Sequence, residues 1–404
     1  MPSTHFNILM VAPTSFFADY GGHIRILEEA RGLQSLGHRV TIVTYYQGKD
    51  VPGLTIHRTR ALPWHANYEV GSSRHKLAFD VYLAATALRV MRQVKPDIVH
   101  GHMHEGALIG WLLAKLWHKP LVFDFQGSLT GEMVDHHFLN PQGALYPWVF
   151  RLEKAIASRL PDAVLTSSLR AQDLLVDQFH VPASRIHPLP DCANLEQFDP
   201  ARFTAAQKQQ QRQQLGIPPE RLVVAYLGLL ADYQGTDHLL QAAAQLKKSG
   251  HDIHFLIMGF PHVDYYQAMA HDLDVASHVT FTGRVDYYRD APGFLAVGDM
   301  AISPKMSLTE GSGKVLNYMA LGQPVVAYDT RVHREYLGEW GVYVPVGDVA
   351  GLAQAIAALS VDAARRQRVG QALRQRASEK FSWRVASQTI LRVYQGLTNA
   401  PPML

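Results

Sequence analysis

The sequence contains little cysteine, little charge and no long apolar run. Its 404 residues include a single cysteine, Cys192. This excludes an internal disulfide framework and a zinc site built on paired cysteines, and it favours a reducing compartment. The charged fraction of 18% is below the usual ~25%, and 38 basic against 35 acidic residues leave a net charge of +3. So small an excess argues against general nucleic-acid binding.

No stretch approaches the roughly 18 apolar residues that a membrane span requires. The most apolar stretch, residues 107–117, already contains Lys115. The first seven residues carry no basic segment and a strand is predicted directly after them, so we expect no signal peptide and a cytoplasmic protein. A hydrophobic share of 47% is ample for packed cores. At about 150 residues per domain, the length predicts two or three domains.

Short apolar, β-branched runs alternate with helical patterns along the whole chain. The crossovers carry apolar residues at three- and four-residue spacing, notably at 24–36, 76–93, 236–248 and 351–359. This alternation predicts α/β architecture with parallel sheets covered by helices on both faces. The predicted strands are 7–12, 39–44, 97–100, 121–125, 163–166, 222–226, 253–258, 279–282, 299–303 and 324–327.

The strongest break in this pattern runs from Pro188 to Pro200 and is followed by a glutamine-rich helix at 204–214. We therefore predict two Rossmann-like domains, residues 1–195 and 196–380. A last helix, within 381–404, is expected to pack back on the first domain.

Two glycine-bearing loops open helices directly after strands: Gly21-Gly22, and Gly311-Ser312-Gly313 ahead of Lys314. Free amides and partial positive charge at a helix N-terminus suit a phosphate group, and small residues let it approach. A tight turn without a ligand is the alternative. Neither loop fits the G-x-G-x-x-G or Walker pattern, which argues against a classical NAD site and P-loop chemistry.

Two further groups of residues follow predicted strands. His100, His102 and His104 precede Glu105 at one strand end, where ligands bind in parallel sheets. Chance is an alternative in a chain with 21 histidines, and a zinc site would need ligands that the sequence cannot place. Lys305 follows another strand, nine residues before Lys314. Two cations beside a helix N-terminus suit a diphosphate, and two solvated lysines are the alternative.

The segment 58–95 is locally basic, with seven cations against two acids, or +5. It could meet an anionic acceptor or a membrane surface, or it could be a solvated face. The aromatic stretch 145–150 is expected to be buried against a neighbouring domain. The charged residues of the basic segment are Arg58, Arg60, Arg74, Lys76, Arg89, Arg92 and Lys95, against Glu69 and Asp80.

These motifs, in this order, resemble the retaining GT-B glycosyltransferases of family 4 along nearly the whole chain. Residues 20–43 resemble the family's Gly-Gly loop, first helix and second strand, and residues 97–102 resemble the strand with its active-site histidine. Residues 189–198 are similar to the linker, 281–285 to the loop that holds the base, and 310–326 to the E-x₇-E region. Each motif is weak alone, and their order makes the resemblance specific.

The resemblance implies a GT-B fold, with two Rossmann-like domains whose parallel sheets face an interdomain cleft. The first domain would serve the acceptor and the second would bind the nucleotide sugar. The implied catalytic residues are Glu310, which would grip the donor sugar, and a histidine at position 102 or 104. We favour His104, beside Glu105. The implied donor-binding residues are Gly21, Gly22, Gly283, Arg284, Val285, Lys305, Gly311, Ser312, Gly313, Lys314 and Asn317.

Besides the position of the histidine, the sequence departs from the family in two places. Asn317 stands where the family has its second glutamate, and residues 228–235 lack the usual Arg and Lys. Lys305 and Lys314 are the candidates that restore this charge. The implied reaction transfers a sugar from a nucleotide diphosphate sugar to a glycan, lipid or small-molecule acceptor with retention, without a metal or cofactor. The alternative is a non-catalytic protein that binds nucleotide sugars or glycans.

Overall fold

The computed structural model describes residues 5–17, 21–61, 76–135, 138–306 and 311–399. The chain divides into two compact units. Unit 1 contains Met1–Asp191 together with Trp383–Leu404, and unit 2 contains most of the chain between Cys192 and Ser382. The division after Asp191 lies close to the boundary expected at residue 195. None of the helices within the described ranges is both long and apolar enough to cross a membrane.

Unit 1 is built on a seven-stranded, all-parallel sheet in the order β3-β2-β1-β4-β5-β6-β7. Its central strands are buried on both faces, as expected of parallel sheets covered by helices. The strands are β1 (Asn7–Ala12), β2 (Arg39–Thr44), β3 (Thr55–Arg58), β4 (Ile98–His102), β5 (Leu121–Phe125), β6 (Ala163–Thr166) and β7 (Ile186–Pro188).

The helices of unit 1 cover both faces of this sheet. On one face α2, α3 and α5 bury the apolar side chains of alternate strand positions, such as Val99 and Phe123. On the other face α1 and the last helix, α15, meet where Gly32 approaches Ser387. The helices are α1 (Gly21–Ser35), α2 (Lys76–Val94), α3 (Met103–Trp117), α4 (Leu129–Asp135), α5 (Tyr146–Arg159), α6 (Leu169–Asp173) and α15 (Trp383–Asn399), with a π-helical turn at Leu174–Gln178.

Unit 2 has a six-stranded parallel sheet in the order β10-β9-β8-β11-β12-β13. Its core packs the sheet against α8 and α13. The strands are β8 (Leu222–Leu227), β9 (Ile253–Met258), β10 (Val279–Gly283), β11 (Met300–Ser303), β12 (Val325–Tyr328) and β13 (Val342–Val344). The helices are α7 (Ala205–Gln214), α8 (Thr236–Lys248), α9 (Val263–Asp272), α10 (Ala291–Ala296), α11 (Gly313–Ala320), α12 (Arg331–Leu337), α13 (Val349–Ser360) and α14 (Ala363–Lys380).

The predicted α/β class with parallel sheets is confirmed, and each unit has a point where its strand order reverses. In unit 1 this point lies between β1 and β4, and in unit 2 it lies between β8 and β11. Loops diverge at such points and leave a crevice at the carboxyl ends of the strands, which is where α/β sheets bind ligands. The residues that follow these four strands are therefore the candidates for a ligand-binding site.

Candidate functional site

The polar groups of unit 1 gather on one face of its sheet, near the ends of β4 and β5. His102 ends β4 and lies beside Asp124 in register, and its Nδ1 donates to Asp124 Oδ2 at 3.0 Å. His100, two residues earlier and therefore on the same face, stacks on His102 with 4.5 Å between the ring centroids. All three side chains are fully buried.

Arg25 of α1 joins these groups into a buried ion network. Its Nε and Nη2 donate to Asp124 over 2.7–3.1 Å, and its Nε lies 3.0 Å from Glu29 Oε1. Nη1 donates to the carbonyl of Leu189 at 2.9 Å and to Asp191 at 3.2 Å. Burial disfavours the charge, but the acidic groups around it, Asp124 above all, raise the pKa of Arg25 above its usual value.

One guanidinium therefore faces three acidic side chains, and the pKa values of Asp124 and Glu29 move in opposite directions. Burial would raise the pKa of Asp124, but Arg25 and His102 outweigh it and hold that pKa below its usual value. Burial and the charge of Asp124 raise the pKa of Glu29 well above its usual value, which favours its protonated form. Burial and His102 lower the pKa of His100, whose Nδ1 lies 2.6 Å from the Tyr394 hydroxyl.

The donor atoms of this network could in principle hold a metal ion. Those of Glu29, His100, His102 and Asp124 lie within 4.8 Å of one another, and such a nitrogen and oxygen set suits a divalent cation. However, the Arg25 guanidinium lies 2.7 Å from Asp124 and 3.0 Å from Glu29, and it would repel a second cation. We therefore interpret the cluster as an ion network, and metal independence stays a prediction.

Replacing Glu29 with glutamine should stabilise the protein at high pH. Unfolded chains lose the proton of a glutamate near pH ~4.3, whereas the raised pKa of Glu29 makes the folded protein lose it at higher pH. Wild-type stability therefore falls as pH rises through that value towards the raised folded pKa. Glutamine has no proton to lose, so the Tm difference between variant and wild type, measured by calorimetry, should grow from pH 5 to pH 8.

The exposed Glu220 supplies the control for this experiment. Its replacement by glutamine should leave the pH dependence of Tm unchanged. A Tm difference for Glu29→Gln that is the same at every pH would mean that Glu29 is ionised in the folded protein.

Gln126, directly after β5, was missed by the sequence analysis. Its Nε2 donates to Asp124 Oδ2 at 2.8 Å, and its side chain remains partly exposed. A Cβ atom on Gly22 would lie 3.0 Å from Gln126 Oε1. The second glycine of the Gly-Gly loop, in the first turn of α1, therefore gives this carboxamide room. No motif marked Gln126, because its position depends on Asp124 and Gly22 rather than on its own neighbours.

His104 lies in a different environment from His102. It packs edge-on against Phe123 and Phe125 with ring centroids 5.3 Å away, and its Nε2 lies 3.5 Å from Glu153 Oε1. Asp124 alternates with these two phenylalanines along β5, so His102 and His104 lie on opposite faces of the sheet. Glu105, the neighbour for which His104 was favoured, instead accepts a hydrogen bond from Lys76 at 2.9 Å.

Burial changes the interpretation of both histidines. His102 is fully buried, His104 is 5% exposed, and neither Nε2 has a hydrogen-bond partner among the described residues. Both imidazoles are thus enclosed by protein atoms, and a catalytic role for either of them stays a prediction. Gln126 and Asp191 are members of the network that reach the surface, and His102 lies behind Gln126 on the same carboxylate.

In unit 2, Lys314 lies in the first turn of α11 among buried polar groups. Its Nζ donates to Gln234 Oε1 at 2.7 Å and to the Tyr226 hydroxyl at 3.2 Å, and it lies 4.3 Å from the Tyr226 ring centroid. A Cβ atom on Gly228, which follows β8, would lie 2.9 Å from this Nζ. The end of β8, where the strand order of unit 2 reverses, therefore faces Lys314 at the N-terminus of α11.

Lys305 follows β11, the other strand at this point, and is 5% exposed. Ser303, which ends β11, lies 3.3 Å from the hydroxyl of Ser312 and 3.0 Å from His333 Nε2. Burial, together with the charges of Lys314 and Lys305, lowers the pKa of His333 to about 4. The charges of both predicted lysines thus act on one buried histidine, which bonds to the serine that ends β11.

Asn317 lies one turn further along α11, also buried. Its Oδ1 accepts a hydrogen bond from the Tyr287 hydroxyl at 3.1 Å, and Tyr287 packs on Phe198 with ring centroids 5.3 Å apart. The protein thus supplies a donor to this oxygen. A contact between Asn317 and a ribose stays a prediction.

The predicted base-binding residues lie at the end of β10. Gly283 has φ +69°, which favours glycine, and its carbonyl accepts from the amide of Gly259 at 3.0 Å. The Arg284 guanidinium lies 5.0 Å from the ring centroid of Phe260, and Val285 is partly buried. A Cβ atom on Gly259, which the sequence analysis missed, would lie 2.0 Å from the carbonyl oxygen of Gly228.

Some predicted residues are engaged elsewhere or lie outside the description. Glu310, and Glu69 and Arg74 of the basic segment, lie outside the described residues. Arg58 pairs with Asp50 at 2.8 Å and donates to several carbonyls, and Lys76 pairs with Glu105. Two cations of the basic segment therefore serve internal contacts.

Comparison with known proteins matches each half of the chain to a glycosyltransferase family. Residues 21–197 match Glycosyltransferase Family 4, and residues 207–376 match Glycosyl transferases group 1. A D-inositol 3-phosphate glycosyltransferase of Salinispora tropica is 27% identical, over 93% of this chain and 81% of its own. A phosphatidyl-myo-inositol mannosyltransferase of Mycobacterium leprae is 26% identical, over 96% of each chain.

Solved structures show the same fold. A sucrose-phosphate synthase from Thermosynechococcus elongatus superposes with a TM-score of 0.81 at 19% identity, over 98% of this chain and 100% of its own. Anabaena HepE in complex with UDP-glucose gives 0.76 at 18%, over 97% and 100%. The fold is therefore the GT-B class, two Rossmann-like α/β units in one chain. The chain belongs to the group 1, family 4-like glycosyltransferases, and its activity is glycosyl transfer.

Proposed function

We propose that the protein transfers a sugar from a nucleotide diphosphate sugar to a glycan, lipid or small-molecule acceptor, with retention and without a metal ion or cofactor. The observation that carries this proposal is the pair Lys305 and Lys314 beside the N-terminus of α11, at the strand-order reversal of unit 2. Two ammonium groups and the amides of a helix N-terminus suit the two charges of a diphosphate.

The same groups supply the catalysis that such a transfer needs. When the bond between the sugar and the diphosphate breaks, negative charge grows on the departing phosphate oxygen. Fixed cations and dipoles that are already oriented stabilise this charge without reorganising. Lys314 is held by Gln234 and Tyr226, so its ammonium is positioned before a ligand arrives. Two lysines can fill the charge-neutralising role that a metal would otherwise take.

In unit 1, Gln126 is the residue proposed to contact a hydroxyl of a substrate. Asp124 accepts a hydrogen bond from Nε2 of Gln126 and so fixes the carboxamide group. Oε1 of the same group lies on the side of Gly22. A carboxamide oxygen accepts a hydrogen bond from a sugar hydroxyl. His102, on the other side of the same carboxylate, acts as a positioning residue in this proposal.

The acceptor classes are supported by the relatives. One is named for inositol 3-phosphate and another for phosphatidyl-myo-inositol, which are a small polyol phosphate and a lipid. Nothing among the described residues favours the non-catalytic alternative.

The decisive experiment is a thermal-shift screen of UDP-, GDP- and ADP-sugars, since a ligand that binds the folded protein raises Tm. The donor so found is then incubated with acceptors, and NMR of the product determines the anomeric configuration. An α-linked product from an α-linked donor, formed at the same rate with EDTA, is expected. Inversion or loss of turnover with EDTA would contradict the proposal, and a bound donor that is never transferred or hydrolysed would support the non-catalytic alternative.

Replacing Lys314 with alanine should weaken binding of the nucleoside diphosphate at least tenfold, and Lys305→Ala should have a similar or milder effect. A charge-assisted hydrogen bond to a phosphate contributes roughly 1.5–3 kcal/mol, and ~1.4 kcal/mol is tenfold in affinity. Titration calorimetry measures the effect. Lys248, exposed at the end of α8, is the matched control, and its alanine variant should bind as wild type. Unchanged affinity in both site variants would place the diphosphate elsewhere.

A further inference from the structure

The outward side of three neighbouring helices in unit 1 has an unusual composition. Helices α2, α3 and α5 cover one face of the sheet, and α3 contacts both of the others. Of the fifteen exposed positions in these helices, nine are apolar, five are Lys or Arg, one is Gln and none is acidic. We call this surface the α2–α3–α5 face.

The apolar residues form stripes rather than scattered points. On α3 the exposed positions are Leu108, Leu112 and Leu116, together with Lys115. The three leucines are spaced by four residues, so they lie on one side of the helix, and they are 46%, 51% and 59% exposed. On α5, Trp148 is 68% exposed and Leu152 is 55% exposed, again four residues apart. The expectation that the stretch 145–150 is buried is therefore wrong for its tryptophan.

Helix α14 of unit 2 shows what an ordinary surface helix of this protein looks like. Its exposed positions carry Gln, Arg, Ser, Glu and Lys, and its apolar exposed residues are two alanines. Single exposed leucines need no explanation in a soluble domain, but adjacent stripes on neighbouring helices indicate a binding surface.

The acidic residues of the three helices all turn away from this face. Asp80 accepts a hydrogen bond from the Tyr45 hydroxyl at 2.7 Å, and Glu105 pairs with Lys76 at 2.9 Å. Glu153 is fully buried and accepts from the amides of Leu129 and Thr130. The charge that the face presents is therefore purely positive, from Arg89, Arg92, Lys115, Arg151 and Arg159.

We propose that the α2–α3–α5 face docks on the surface of a bilayer that contains anionic phospholipids. Leucine side chains and a tryptophan at this density enter the boundary between headgroups and acyl chains, where the indole ring is well accommodated. The Arg151 guanidinium, 5.5 Å from the Trp148 ring centroid, and Lys115 would then meet the lipid phosphates. Apolar stripes with exclusively positive charge are complementary to an anionic leaflet.

A second copy of the chain is a poorer occupant. In a two-fold contact the same face meets itself, so its five cations would approach one another without an acid to pair with.

The proposed surface also differs from the basic segment 58–95, which it overlaps only along α2. It does not rest on the proposed function, because vesicle binding is measured without turnover.

The test is co-sedimentation of the purified full-length protein with vesicles. Wild type should bind vesicles of phosphatidylcholine with phosphatidylglycerol, bind pure phosphatidylcholine far more weakly, and be released by high salt. The double variant Leu112→Gln/Trp148→Gln should lower the partition coefficient at least ~10-fold by removing the inserting groups, and Lys115→Glu/Arg151→Glu should do so by reversing charge. Val361→Gln, at a position of unit 2 that is 79% exposed, is the control and should bind as wild type.

All of these positions are exposed, so the variants should fold, and their circular dichroism and donor hydrolysis should match wild type. Wild type that ignores anionic vesicles would overturn the proposal, as would face variants that bind like the control. Light scattering in the absence of lipid tests the rival occupant: a dimer that the Leu112→Gln/Trp148→Gln variant dissociates would assign the face to self-association and overturn membrane docking.

Discussion

Replacing Arg25 with methionine should lower the free energy of unfolding of unit 1 by about 3–5 kcal/mol, since removing one partner of a buried ion network leaves the others unpaired. Arg25 is the cation shared by Asp124, Glu29 and Asp191, and it also satisfies the carbonyl of Leu189. Calorimetry of the full chain is the measurement, because a two-unit protein can show two transitions, and the transition of unit 1 should move to lower temperature.

Arg334 provides a matched control for this prediction. It pairs with Asp329 through two contacts of 2.7 Å, comparable to those of Arg25, but both side chains are largely exposed. Exposed pairs contribute little to stability because water and salt screen them, so Arg334→Met should shift the unfolding transition only slightly. Equal effects of the two substitutions would mean that burial does not strengthen the Arg25 network.

Replacing Gln126 with alanine should reduce kcat by ~10²-fold, the usual consequence of removing a hydrogen bond that is made in the transition state. The affinity for the nucleoside diphosphate should change little, because the proposed diphosphate site is in unit 2. Turnover and titration calorimetry on the same variant separate the two effects. Gln126→Glu adds a like charge beside Asp124 and should be no better than alanine.

The histidines and a distant glutamine complete this experiment. His102→Ala should lower kcat less than Gln126→Ala does, since it acts through Asp124, and His104→Ala should mainly lower Tm. Gln142→Ala, at an exposed position of unit 1, should leave both quantities unchanged. If His104→Ala lost activity with an unaltered Tm while Gln126→Ala stayed active, the original preference for His104 would be right and the present assignment wrong.

The sequence pattern was most informative where strands are buried on both faces. The ranges 7–12, 39–44, 121–125, 163–166 and 253–258 were predicted with the bounds that the structure has. The strands that were missed, β3, β7 and β13, all lie at sheet edges. An edge strand is short and has one neighbour, so it needs no continuous apolar run, and Thr55–Arg58 reads as an exposed polar segment.

The candidate site residues also divide into those with a local sequence signal and those whose position depends on distant partners. Gly22, Lys305 and Lys314 were found because each follows a strand or begins a helix, which is a local property of the chain. Their partners were not local: Gln234 is 80 residues from Lys314, and Asp124 is 99 residues from Arg25.

What the sequence established is the α/β class, the order of its main strands and the glycine and lysine positions near the strand ends, because periodicity and turn chemistry are encoded within a few residues. The structure was needed to show that His102 and His104 occupy opposite faces of one sheet and that both are buried. It also revealed Gln126 and the apolar face of α2, α3 and α5. The reason is that burial and pairing depend on residues that are distant in the chain and meet only when the sheet forms.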